Sequence, residues 1–161
     1  MSTIENGRAC AIADPSTREL LARVDVPAAP AVVFRALTSS EITRWWVRPG
    51  VFDTREWTGV VRVGGQWRTS GIFRGQPYTQ HGEYLEIDTP RRLVMTLQGG
   101  GEPDARTIVT CTLEPIEDGT RLMIRQSGFA TAERCQAFAL GWETSFEQLA
   151  EMLTPEFAAD Q

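Results

Sequence analysis

His81 is the only histidine in this chain of 161 residues. An imidazole titrates closer to neutrality than any other unperturbed side chain, which makes it the natural candidate for a general base. Side chains of an extended segment alternate between faces, so Thr79, His81, Glu83, Leu85 and Ile87 share one, and the apolar members turn that face inward. There Glu83 would orient the imidazole. A bulge at Gly82 would reverse the facing of His81, and the plainer account is a strand histidine partly open to solvent. A general base contributes about 10² to 10⁴ in rate and needs a second group to stabilise developing charge. No Gly-x-Ser-x-Gly elbow, His-Glu-x-x-His pair or phosphate loop supplies one. The expectation is therefore no catalytic residue, with His81 and Glu83 anchoring one polar atom of a ligand. Cys10, Cys111 and Cys135 are widely spaced, so neither a disulfide framework nor a metal site is expected, and no cofactor is implied.

The other candidates are apolar. Trp46, Trp67, Trp142 and Phe146 carry large rigid faces able to line a cavity and stack on a ring-bearing ligand. Phe73 and Met95 complete that lining. Gln126, inward with Leu122 and Ile124 by alternation, adds a polar group. The competing account is that these rings simply fill the core. Gly141 bears on the choice, because a glycine inside a helix costs about 1 kcal/mol against alanine and implies close packing or room beside Trp142. Gly99, Gly100 and Gly101 lie between two strand candidates, which suits a hairpin tip able to gate a cavity and not a phosphate loop.

These residues need elements to position them. Cys135, Phe138, Ala139, Trp142, Phe146, Leu149, Ala150 and Leu153 form an apolar stripe at helical spacing, which predicts a long amphipathic helix over 131–153. Before it the pattern is strand-rich. Runs at 20–26, 54–63, 66–73, 78–87, 93–98, 107–114 and 120–127 are separated by turn signals such as Gly64-Gly65, Arg74-Gly75 and Asp118-Gly119, as sequential antiparallel hairpins require. After the first run, Pro30 suits the first position of a short helix, and Thr38, Ser39 and Ser40, with Glu41 three residues after Thr38, supply a cap for a second one carrying Ile42, Trp45 and Trp46. Residues 1–18 lack periodicity and are expected to be a loose arm, with one domain over 19–157. A single helix closing a chain of strands must bury its apolar face on their sheet, which leaves a cavity between the two layers.

Several motifs then fall in a recognisable order: Val26-Pro27 before a short helix, Trp45-Trp46, Gly64-Gly65, Gly82-Glu83-Tyr84, the 90–93 turn, Gly119-Thr120-Arg121-Leu122, Gly128-Phe129 and Gly141-Trp142. In that order the chain resembles a START-like (SRPBCC) domain, nearest to the family named for the activator of the heat-shock-protein-90 ATPase. The resemblance spans about 19–153. It implies an α+β helix-grip fold of the Bet v 1 kind: a curved antiparallel sheet around a long C-terminal helix, with two short helices after the first strand and a cavity between. Many such relatives carry a histidine where this chain has Gln126, which puts proton transfer at that position in doubt.

A hydrophobic fraction of 42% supports a packed core, while a formal charge of −5 disfavours nucleic-acid binding. No segment approaches the roughly 20 apolar residues of a membrane span, and no signal-peptide pattern opens the chain, so the expected setting is cytoplasmic. The leading expectation is a non-enzymatic protein holding a hydrophobic or aromatic small molecule between sheet and helix. The resemblance implies a second possibility in a stress response, docking on a chaperone and stimulating its ATPase. Against it, eukaryotic co-chaperones of this kind carry a further N-terminal domain for which this chain leaves no length. A third is a small enzyme of the cyclase, hydrolase or dehydratase kind using His81. Monomer and homodimer both remain open.

Overall fold

Alternation along the strands explains the sheet. In β2 (Glu19–Val26) the buried residues are Leu20, Ala22, Val24 and Val26. In β9 (Gly119–Ser127) they are Thr120, Leu122, Ile124 and Gln126, and β2 and β9 pair antiparallel with Val24 opposite Leu122. Each strand therefore offers one face to a shared core. The computed structural model describes residues 9–99 and 106–154. Its remaining strands are β1 (Ala9–Asp14), β3 (Val47–Arg48), β4 (Phe52–Gly59), β5 (Gln66–Phe73), β6 (Gln76–Asp88), β7 (Arg92–Gly99) and β8 (Thr107–Ile116). All nine form one antiparallel sheet in the order β1-β2-β9-β8-β7-β6-β5-β4-β3.

The sheet curls around the long helix α3 (Ala132–Met152). Thr131 caps that helix, its side chain accepting a hydrogen bond from the Arg134 backbone N–H at 3.1 Å. Of the expected stripe, Cys135, Ala139, Trp142, Phe146, Leu149 and Ala150 are buried, and Phe138 and Leu153 are partly so. The fold is the expected α+β helix grip. No helix among the described residues is long and apolar enough to cross a membrane.

Two short helices, α1 (Pro30–Leu37) and α2 (Ile42–Trp45), sit between β2 and β3. Pro30 opens α1 as expected, since its fixed φ suits the first turn. Thr38 does not cap α2. Its hydroxyl donates back to Phe34 O at 2.9 Å, closing α1, while Ser39 Oγ accepts from the Glu41 N–H at 3.2 Å. The loose arm also needs correction: Ala9–Asp14 pairs along β2 as an edge strand. Its alternate Ala9, Ala11 and Ala13 are too small to register as a hydrophobic pattern, yet their size lets α3 lie close over them. The expected strand over 54–63 starts at Phe52 and ends at Gly59, where Val60 N–H turns back to donate to Gln66 O. Of the glycine run, Gly99 closes β7, and Gly100 and Gly101 lie outside the described residues.

Candidate functional site

The two-residue strand β3 folds back on β4 with Arg48 opposite Phe52, and Phe52 in turn faces Phe73 across β4 and β5. The β5–β6 turn holds Arg74 at φ +50 and Gly75 at φ +82, left-handed conformations that reverse the chain tightly. Tyr78 follows. These turns bring Phe52, Phe73, Arg48, Arg74 and Tyr78 to one end of the sheet, against the face of α3 that carries Arg134, Ala137, Phe138 and Gly141. Between them lies an open cleft of about 100 Å³, with Trp46 and Gln80 as its floor.

Rings dominate the walls. Trp46 lies 5.6 Å from Phe52 by ring centroids, and Phe73 lies 6.3 Å from Tyr78. Arg74 stands 5.5 Å over Phe73 and Arg134 stands 5.1 Å over Phe138, both within cation–π range. The Tyr78 hydroxyl is 3.0 Å from Thr54 Oγ1. Burial pushes that phenol above its usual pKa despite the Thr54 hydrogen bond, so it is neutral at physiological pH. A Cβ built on Gly141 would sit 3.5 Å from the Phe52 ring, ordinary contact distance, so the glycine leaves room at the cleft wall beside Phe52 and is not forced by close packing.

Behind the floor is a smaller space of about 30 Å³, whose walls include Trp45, Trp57, Trp67, Thr69, Tyr84, Met95, Cys111 and Trp142. It shares Trp46 and Gln80 with the cleft. Trp67 Nε1 and Thr69 Oγ1 are buried there with no hydrogen-bond partner. Beside this chamber runs a satisfied polar relay. Trp142 Nε1 donates to Gln126 Oε1 at 2.7 Å, Gln126 Nε2 donates to Thr107 Oγ1 at 2.8 Å, and Thr107 Oγ1 donates to Leu97 O at 2.8 Å.

The curled sheet and the gripped helix have counterparts. The family described as Activator of Hsp90 ATPase homolog 1-like protein matches residues 27–154. The chain belongs to this family. Protein CV1439 from Chromobacterium violaceum is 28% identical, covering 86% of this chain and 99% of its own, with a TM-score of 0.73. A Rhodobacter sphaeroides protein is 25% identical over 90% of this chain and 97% of its own, at a TM-score of 0.75. Protein Ms6760 from Mycobacterium smegmatis, at 19% identity, covers 89% of this chain and 95% of its own with a TM-score of 0.72 and shares the fold. No curated protein matches the chain.

Within this member of the Hsp90-activator-like family, the expected site residues divide. Trp46 lines both spaces and Phe73 lines the cleft, while Trp67, Met95 and Trp142 line the inner chamber. Phe146 is wholly buried between Trp45 and Trp142, at centroid distances of 6.4 and 5.3 Å, and lines neither. Gln126 is also wholly buried and is committed to Trp142 and Thr107.

His81 and Glu83 fall elsewhere. The inward face of β6 is Tyr78, Gln80, Gly82 and Tyr84, so His81 is exposed on the outer face and Glu83 is half-buried on that same side. The register shift between Tyr84 and Glu86 explains the error: a bulge flips the alternation, leaving Leu85 exposed and Ile87 partly buried. Ile87 is thus no guide to the facing of His81. Gly82 itself is a close approach, since a Cβ there would meet Thr96 O at 1.8 Å and Trp67 Nε1 at 2.6 Å. Sequence reasoning missed Arg48, Arg74, Tyr78 and Gln80, whose one available signal was the Arg74-Gly75 turn at the end of an aromatic strand.

Proposed function

We propose that this protein binds a small hydrophobic or aromatic molecule between the sheet and α3 and carries out no reaction on it. The observation behind this reading is the ring-lined cleft at the open end of the helix grip, continued inward past Trp46 and Gln80 by a second, mostly apolar chamber. Apolar walls with a few polar groups are what small-molecule recognition uses. Trp67 Nε1 and Thr69 Oγ1 suit a ligand long enough to bring a polar atom to the inner chamber, because an unpaired buried donor gains about 1–3 kcal/mol when satisfied. A cytoplasmic setting fits free thiols such as the exposed Cys10.

Native mass spectrometry of freshly purified protein tests this together with the subunit number, by looking for a retained small molecule. Titration with an apolar fluorophore should quench tryptophan emission through Trp46. A protein that carries nothing and quenches with no apolar probe refutes the reading. The family description supports a second one, in which the chain docks on a heat-shock chaperone and raises its ATPase rate. Adding the protein to a purified Hsp90 ATPase assay separates the two.

A further inference from the structure

We infer that the cleft selects an organic monoanion, an aryl or alkyl carboxylate whose apolar body lies among Trp46, Phe52, Phe73 and Phe138 and whose carboxylate meets Arg48 and Arg74. This rests on the ligand-binding reading above and adds the class of ligand. The chain is acidic, with a formal charge of −5, yet among the described residues the cleft lining holds Arg48 and Arg74 beside its rings and no aspartate or glutamate. Six other arginines pair with carboxylates, Arg35 with Glu41 and Arg121 with Asp25 among them, and those without an ion pair among the described residues, such as Arg23, Arg44, Arg62 and Arg68, are exposed. Arg48 and Arg74 have no such partner among the described residues.

Arg48 is half-buried beside aromatic rings, where an uncompensated charge loses hydration without gaining an ion pair. A carboxylate bound there supplies the missing counter-charge, and the planar guanidinium fork suits it. Arg74 is exposed at the mouth, with its guanidinium 5.5 Å over the Phe73 ring. Asp53 is the carboxylate that acts on Tyr78, and it is tied to Arg55 at 3.1 Å. Arg134 donates to Gly99 O at 3.4 Å and stacks on Phe138, so it contributes wall while Arg48 and Arg74 receive the anion. A cation of the same shape meets the like charges of Arg48 and Arg74. A neutral ligand leaves Arg48 uncompensated.

The test compares 3-phenylpropionate with 3-phenylpropionamide, which share ring and length but differ in charge, by calorimetry on the full chain. The carboxylate should bind about tenfold tighter or better, as a hydrogen bond to a charged group implies, and the gap should shrink at high salt. R48M should remove most of the gap, chiefly by weakening the carboxylate, and R48K, which keeps charge without the fork, should fall between. R74M provides the same comparison from a separate hairpin should R48M fail to fold. Equal or tighter binding of the amide overturns the monoanion assignment and leaves the pocket intact. A carboxylate preference that survives both R48M and R74M overturns the assignment to these arginines. If neither compound binds while an apolar fluorophore still does, the monoanion assignment is overturned and the ligand-binding reading stands; if the fluorophore fails as well and the purified protein carries no small molecule, both fall.

Discussion

Trp142 Nε1 donates to Gln126 Oε1 at 2.7 Å, fastening the centre of α3 to the inward face of β9 through two fully enclosed side chains. The bond sets the depth of the helix on the sheet, because the indole can neither rise nor turn without stranding its N–H. Gln126→Leu should cost about 1–3 kcal/mol, the penalty for leaving that donor buried and unpaired. Trp142→Phe strands the amide oxygen instead and should cost a similar amount, while the double variant should cost less than the sum. Trp142→Ala removes the ring as well and should cost about 3–5 kcal/mol. Urea denaturation gives all four values, and strict additivity of the two conservative changes would show that the bond carries nothing.

Gly141 offers a prediction of opposite sign for stability and binding. Its position is interior to α3 and a Cβ there would lie 3.5 Å from the Phe52 ring, close enough to touch without displacing it. Gly141→Ala should therefore raise stability by up to about 1 kcal/mol through helix propensity. The same methyl narrows the cleft, so affinity for an apolar probe should fall. A variant that gains stability and binds the probe unchanged would place the ligand away from this wall.

His81 is on the outer face of β6, opposite in facing to Gln80 and Tyr84. Both His81→Gln and His81→Leu should leave probe affinity unchanged in a tryptophan-emission titration. Weakening by the leucine variant alone would mean that the ligand contacts the outer face of the sheet.

How far the sequence reveals this arrangement depends on the range of the forces involved. The helix over 131–153 was legible because one stripe of large side chains has one sheet to bury against, and Thr131 and Leu153 cap it at those limits. Gln126 was legible as inward because β9 alternates without a break. His81 was not, since one extra residue near Leu85 inverts a face that period-two reasoning must assume continuous. Arg48 and Arg74 belong to separate hairpins set side by side by the pairing of β3, β4 and β5, so no local pattern joins them.

Cys111 gives the last prediction. Its thiol is wholly buried on β8 against the inner chamber, and that burial pushes its pKa up to about 12 from an ordinary value of 9.0. Tyr84, whose phenol is raised above its usual value mainly by burial and then by Cys111, acts in the same direction. Below the unfolded thiol's pKa both states keep the proton and the stabilising effect of a neutral buried thiol is fully present. As pH rises past it, the unfolded chain releases a proton that the folded chain retains, so stability declines progressively until the folded thiol also ionises. The urea midpoint should therefore fall between about pH 8 and about pH 10.5, and the decline should be shallower in Cys111→Val, whose side chain cannot titrate. Over the same range the exposed Cys10 should react with a thiol reagent far ahead of Cys111 in folded protein. Fast labelling of Cys111, or an identical alkaline slope in Cys111→Val, would mean that the inner chamber opens to water.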